Sequence, residues 1–157
     1  MIETEPEMAL TQLRISPHLI FDGQCREAFV SYQKVLGGQL TTLMTYGESP
    51  LAASVDAKWH ARIVHATLAF NGAELNGADV LPQDYQRPQG FSVIVTFGDV
   101  ERAREIFAAL ADGGNVRMPF QSTFWSPGFG VLADRFAVPW EINSSASGSG
   151  THHSPTS

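Results

Sequence analysis

Cysteine is almost missing from this chain, which carries one thiol, Cys25, in 157 residues. A single cysteine excludes an internal disulfide and suits a reducing cytoplasm. Basic residues are scarce as well. Ten Lys and Arg face sixteen Asp and Glu, a net charge of −6 with a pI near 5.2. Nucleic acids and anionic membranes need basic patches, so neither is an expected partner. No apolar run approaches the ~20 residues of a membrane-spanning helix. The first residues, Met1 to Glu7, are acidic and lack the basic start and apolar core of a signal peptide. There is no phosphate-cradling P-loop, and no Ser-His-Asp arrangement that spacing would reveal. What is left is the composition of one ordinary soluble domain, 43 % hydrophobic and 17 % charged.

Against that plain background, one module reads twice. A helix-patterned run ends in Gly37-Gly38 and gives way to Gln39-Leu40-Thr41-Thr42, and another ends in Gly113-Gly114 before Asn115-Val116-Arg117-Met118. In the first helix Cys25, Ala28, Phe29, Tyr32, Val35 and Leu36 keep helical spacing, with Gly37 as C-cap. The second has Val100, Ala103, Phe107 and Leu110 on one face, Asp99 as N-cap and Gly113 ending it. Strands are predicted near 17–21, 39–46, 62–70, 73–78, 90–97, 115–123, 128–134 and 137–143, with Asn71-Gly72 as a hairpin turn. The expectation is an α+β fold of paired βαβββ modules, about residues 15–80 and 88–143, whose two sheets curve around a shared concave space. Residues 1–14 read as a loose segment and 144–157 as a disordered polar tail, on which His152 and His153 would bind metal only weakly. The first half holds about nine extra residues, since Gly37 to Gly113 spans 113 − 37 = 76 positions and Glu74 to Glu141 spans 141 − 74 = 67. The surplus falls between Gly47 and Ala61, a loop that could close over a pocket with Trp59 and His60.

Strand alternation sorts the side chains by face. Leu19, Phe21, Ala66, Leu68, Leu75, Val93, Val95 and Ile142 fall on faces suited to packing under the helices. The opposite faces carry His18, His65, Thr67, Glu74, Asn76, Ser92, Thr96, Glu141 and Asn143. Burying that many polar groups unpartnered would cost about 1–3 kcal/mol each, so a solvated or liganded cleft explains them better than a closed core. Outer faces of edge strands are the plainer alternative. Phe124, Trp125 and Phe129 form an aromatic cluster in a Pro/Gly-rich turn, as a pocket wall or as packing at a subunit seam. Cys25 near a helix start could be a lowered-pKa thiol, but its apolar spacing favours a small core residue.

Several of these stretches resemble one family. Pro17 to Ala28 (PHLIFDGQCREA), Tyr32 to Gly38 (YQKVLGG), Tyr46 to Pro50 (YGESP), Ile63 to Ala66 (IVHA) and the closing run Phe120 to Asn143 are similar to PhnB-like proteins of the vicinal oxygen chelate superfamily. The resemblance covers about residues 15 to 143. It implies paired βαβββ modules, a cupped mixed sheet, and usually a homodimer with swapped or shared modules. Members of the superfamily include glyoxalase I, extradiol dioxygenases, fosfomycin-resistance thiol transferases and bleomycin-binding proteins. Metal-binding relatives place ligands on the first and last strands of each module. His18 and Glu141 fall at such positions, Ser92 stands where a second-module histidine would be, and Glu74 or Asn76 would complete the set.

Two functions follow from the resemblance. The first is a metal-assisted lyase, transferase or dioxygenase acting on a small oxygenated substrate. His18 and Glu141 would hold a divalent ion (Zn, Mn, Fe, Ni or Mg), His65 and Glu74 would move protons, and Ser92, Thr67, Asn76, Trp59, Phe124 and Trp125 would line the pocket. The second is a non-catalytic homodimer that sequesters a small molecule. In that reading His18 is a hydrogen-bonded pocket histidine, Glu141 a hairpin carboxylate and His65 a structural hydrogen-bonder. Members of this branch often carry a demethylubiquinone methyltransferase label. The chain has no dinucleotide-like glycine loop, and methyl transfer is not expected of it.

Overall fold

The computed structural model describes residues 13–145; residues 1–12 and 146–157, with His152 and His153, lie outside them, and Ser144, expected to begin the tail, is instead the buried last residue of a strand. The chain divides into two compact units, the first ending at Tyr85 and the second beginning at Gln86.

In the first unit, β1 (His18–Phe21) leads into α1 (Cys25–Leu36), followed by β2 (Gln39–Thr45), β3 (Ile63–Phe70) and β4 (Ala73–Asp79). The strands lie in the order β1-β4-β3-β2. β1 runs parallel to β4 and the remaining pairs are antiparallel. The second unit repeats this with β5 (Val93–Phe97), α2 (Val100–Ala111), β6 (Asn115–Gln121), β7 (Gly128–Ala133) and β8 (Pro139–Ser144), ordered β5-β8-β7-β6. The duplicated α+β arrangement expected from the sequence is present. Among the described residues no helix is long and apolar enough to cross a membrane.

Each core forms where a sheet's apolar face meets its own helix. Leu19, Phe21, Cys25, Ala28, Phe29, Tyr32, Ile63, Ala66 and Leu68 are buried in the first unit. Ala103, Ile106, Leu110, Leu132, Val138, Trp140 and Ile142 are buried in the second. The opposite helix faces stay wet, and on α2 Arg102–Glu105 and Arg104–Glu101 pair at the surface.

The repeated Gly-Gly has a packing cause. Gly37 and Gly113 take positive φ, 82° and 74°, as the chain turns from helix to strand. The second glycine of each pair meets a neighbouring strand. A Cβ on Gly38 would stand 2.6 Å from the Ala69 carbonyl oxygen, and one on Gly114 would run into that of Ala133. One detail differs from expectation: α2 is capped at Asp112, one residue before Gly113, and the turn is closed by Gly114 N–H donating to the Ala111 carbonyl. At the other end of α2, Asp99 is the N-cap and accepts from the Glu101 N–H at 2.9 Å.

The surplus of the first unit lies between β2 and β3. Residues 46–62 fold into two short 3-10 turns, Pro50–Ser54 and Ala57–Trp59. Tyr46 N–H to Arg62 O, Gly47 N–H to His60 O and a 2.9 Å contact of His60 Nε2 with Ala52 O fasten this segment to itself. The loop that could close over a pocket is a hydrogen-bonded turn system.

Candidate functional site

The polar face of the first sheet carries the most developed cluster. Strand register aligns His18 of β1 with Asn76 of β4, and Asn76 with Thr67 of β3. These three share one face, as alternation requires. Two of them, Thr67 and Asn76, are joined by a hydrogen bond and extend it to their neighbours. The Thr67 hydroxyl donates to Asn76 Oδ1 at 2.8 Å. Asn76 Nδ2 donates to Ser16 Oγ at 3.0 Å and to Glu74 Oε1 at 3.3 Å. Thr67 Oγ1 also lies 3.1 Å from His65 Nε2. Five residues from the approach to β1, from β3 and from β4 thus form one hydrogen-bonded row. Partial burial first, and then the charge of neighbouring His65, holds His18 below the usual histidine pKa, so its imidazole is neutral near pH 7. At the Glu74 end the row opens on a cleft of about 440 Å³, lined also by Arg14, Ile15, Ser16 and Phe70.

The other predicted site residues lie elsewhere. Trp59 is buried beneath the Arg62 guanidinium, 4.4 Å from its ring centroid. It lines a separate cleft of about 360 Å³ with Lys58, Leu81 and Pro82. Ser92 is exposed and precedes β5, outside the paired strand. Glu141 is half-buried on β8 and registers with Ile94 and Val131. Two residues on, Asn143 donates to Thr96 Oγ1 at 3.4 Å, while its buried Oδ1 has no hydrogen-bond partner. Phe124 is 97 % exposed and stands edge-on to Trp125, with ring centroids 4.6 Å apart. The turn that presents them is pinned by buried Ser126, whose hydroxyl contacts the Gly128 and Ser144 carbonyls.

A divalent ion needs three or more donors converging on one point. Within either unit, no three of the described His, Cys, Asp and Glu side chains gather in that way. In the first unit His65 Nε2 and Glu74 Oε1 are turned into the row itself. His18 belongs to the first unit and Glu141 to the second. The residues of a single unit do not fit a metal. Cys25 is no nucleophile either, because burial, followed by the charge of Asp79, pushes its thiol pKa far up.

Sequence reasoning missed Asp79 and Ser16. Asp79 is 1 % exposed, and its Oδ1 accepts from Gly23 and Cys25 N–H at 2.8 and 3.0 Å while Oδ2 accepts from Ile63 N–H at 2.9 Å. An acid ending β4 directly after the small residues Gly77 and Ala78 was the available signal. Ser16 was passed over because it precedes β1 and belongs to no periodic pattern.

Residues 13–143 match the protein family described as 3-demethylubiquinone-9 3-methyltransferase. The chain is 34 % identical over 137 residues to Protein YjdN of Escherichia coli strain K12, covering 82 % of this chain and 93 % of that one. Among solved structures it is similar to protein PA1353 from Pseudomonas aeruginosa, with TM-score 0.78, 40 % identity, and coverage of 85 % of this chain and 98 % of that one. It is also similar to a putative 3-demethylubiquinone-9 3-methyltransferase, PhnB protein, from Bacillus cereus, with TM-score 0.71, 25 % identity, and 85 % and 100 % covered. A glyoxalase/bleomycin resistance protein/dioxygenase family enzyme from Burkholderia phytofirmans PsJN shares the fold at TM-score 0.57 and 14 % identity, with 82 % and 95 % covered. The duplicated βαβββ topology and these matches together make the chain a member of the PhnB-like, 3-demethylubiquinone-9 3-methyltransferase family with a glyoxalase-like fold.

Proposed function

We propose that this protein binds a small polar molecule on the sheet face bearing His18, His65, Thr67 and Asn76, as a cytoplasmic homodimer of the glyoxalase/bleomycin-resistance type. One observation carries the reading. Five polar side chains, His65 among them, spend hydrogen bonds on one another in a single row, which leaves the His18 imidazole and the second ring nitrogen of His65 on that face to meet a ligand. A purely structural face would not need this arrangement, since threonine or valine would complete the sheet at lower desolvation cost. The cleft beside Glu74 and Ser16 adds room for a ligand body. Methyl transfer, named in the family's description, has no supporting feature in the sequence.

A second reading, an enzyme assisted by a divalent metal, is favoured by His18 and His65 lying on one sheet face, two potential nitrogen donors. It gives His18 and Glu141 the ion, with His65 and Glu74 handling protons. Among the described residues the donors of one unit do not converge on a point.

One pair of experiments separates the readings. Amide and side-chain NMR shifts are followed while a set of small hydroxylated and amine-bearing compounds is added, and the metal content of protein purified without chelators is measured. Shifts confined to residues 16–18, 65–67 and 74–76 in metal-free protein support binding. Stoichiometric metal that is lost in both His18→Ala and Glu141→Ala supports the enzyme. Neither metal nor any shift on this face defeats both.

A further inference from the structure

The row of hydrogen bonds has a direction, and the direction is set by its far end. Glu74 is a carboxylate and can only accept. Asn76 must therefore turn its amide nitrogen toward Glu74, which leaves Oδ1 facing Thr67. Oδ1 carries no hydrogen, so the Thr67 hydroxyl donates to it at 2.8 Å and its only proton is spent. Thr67 Oγ1 can then only accept from His65 Nε2, 3.1 Å away. His65 must hold a proton on Nε2. In the neutral ring this leaves the lone pair on Nδ1, which has no intramolecular partner among the described residues, on a side chain exposed at the sheet face. The opposite tautomer would leave either Nε2 and Oγ1, or Oγ1 and Oδ1 if the hydroxyl turned, at hydrogen-bond distance with no hydrogen between them.

We infer that Glu74, Asn76 and Thr67 are positioning residues that lock the tautomer of His65, so that the site recognises a ligand group that donates a hydrogen bond, a hydroxyl or N–H, through His65 Nδ1. This deepens the proposed function and rests on it for the ligand, while the tautomer stands on the chain alone. The three residues need not touch the ligand. They act by deciding which nitrogen of His65 is an acceptor. Anionic ligands such as carboxylates present lone pairs to a lone pair and are disfavoured. A ligand with a hydroxyl or amide N–H finds its complement.

The test uses full-length protein labelled with 15N at histidine, without ligand, above the pH at which its imidazoles titrate. Long-range 1H–15N correlation reads which ring nitrogen bears the proton. His65 is expected as the Nε2–H form in the native protein and in Thr67→Ser, which keeps the hydroxyl. In Thr67→Val, which keeps the shape, and in Glu74→Gln, which frees the amide to reverse, the tautomer ratio is expected to move about tenfold toward Nδ1–H, the effect of losing roughly one hydrogen bond. Finding Nδ1–H in the native protein, or no change in either variant, overturns the inference. Titration with acetamide and with acetate then addresses the ligand. Acetamide shifting His65 more than acetate supports the donor preference, and the reverse order overturns it. Absence of shifts from either probe, with the tautomer as expected, defeats the binding reading and spares the relay.

Discussion

Asp79 shows how much one buried carboxylate can organise. The first residue of α1 is Cys25, and its N-cap, Gln24, supplies no side-chain hydrogen bond. Asp79, at the end of β4, does that work from 54 residues away by accepting from Cys25 N–H, and also holds Gly23 and the start of β3. A negative group at a helix N-terminus is further favoured by the helix dipole. Asp134 plays a local version in the second unit, taking Phe136 and Val138 N–H on Oδ1 and the Trp140 indole N–H on Oδ2. Replacing Asp79 by Asn puts an amide donor against at least one backbone N–H. The expected loss is about 2–3 kcal/mol of unfolding free energy, measured as a lower urea midpoint, because hydrogen bonds to charged groups are worth about 1.5–3 kcal/mol. A midpoint unchanged within error would mean that the carboxylate organises little.

Among the elements, the helices and hairpins were the most readable parts of the chain. Helical spacing from Cys25 to Leu36, the N-cap at Asp99 and the Asn71-Gly72 turn all rest on interactions within a few residues. The glycines inside strands obey a different rule. Gly77 on β4 and Gly130 on β7 each lie under a helix phenylalanine. An added Cβ would stand 2.5 Å from Phe29 in the first case and 2.5 Å from Phe107 in the second. Each unit thus seats one large ring of its helix over a glycine of its sheet. Gly77→Ala and Gly130→Ala are each expected to cost about 1–3 kcal/mol by overpacking, read from thermal or urea unfolding. Either variant matching the native protein would show that the rings can shift at no cost.

At the scale of the whole molecule, stability should fall in alkali. Burial, and then the Asp79 charge, raises the Cys25 pKa. Burial, and then the charges of Asp79 and Asp84, raises that of Tyr46, whose hydroxyl donates to the Asp79 carbonyl at 2.7 Å. For an acid whose folded pKa is raised, the unfolded chain ionises first. The stabilisation is therefore complete below the unfolded pKa, about 8.5 for the thiol and about 10 for the phenol, and is lost as the pH climbs above it. Native protein should lose up to about 1.4 kcal/mol per pH unit to the thiol alone between roughly pH 9 and 11. Urea midpoints across that range give the slope. Cys25→Ala is expected to flatten it, and Tyr46→Phe to flatten its upper part. Equal slopes in all three proteins would refute the assignment.

Read alone, the sequence determined the two-fold βαβββ plan and the faces to which the residues of β1, β3, β4, β5 and β8 turn. Both depend on patterns of two or four residues and on short-range backbone geometry, which any stretch of chain carries within itself. It also placed His18, His65, Thr67, Glu74 and Asn76 on polar faces, because alternation alone decides that. Tertiary structure decided which of them meet. Ser16 reaches Asn76 across 60 positions, Asp79 caps a helix 54 positions away, and Trp59 sinks beneath Arg62. Hydrogen bonds form between atoms near in space, and distance in space is settled only when strands pair in a particular register.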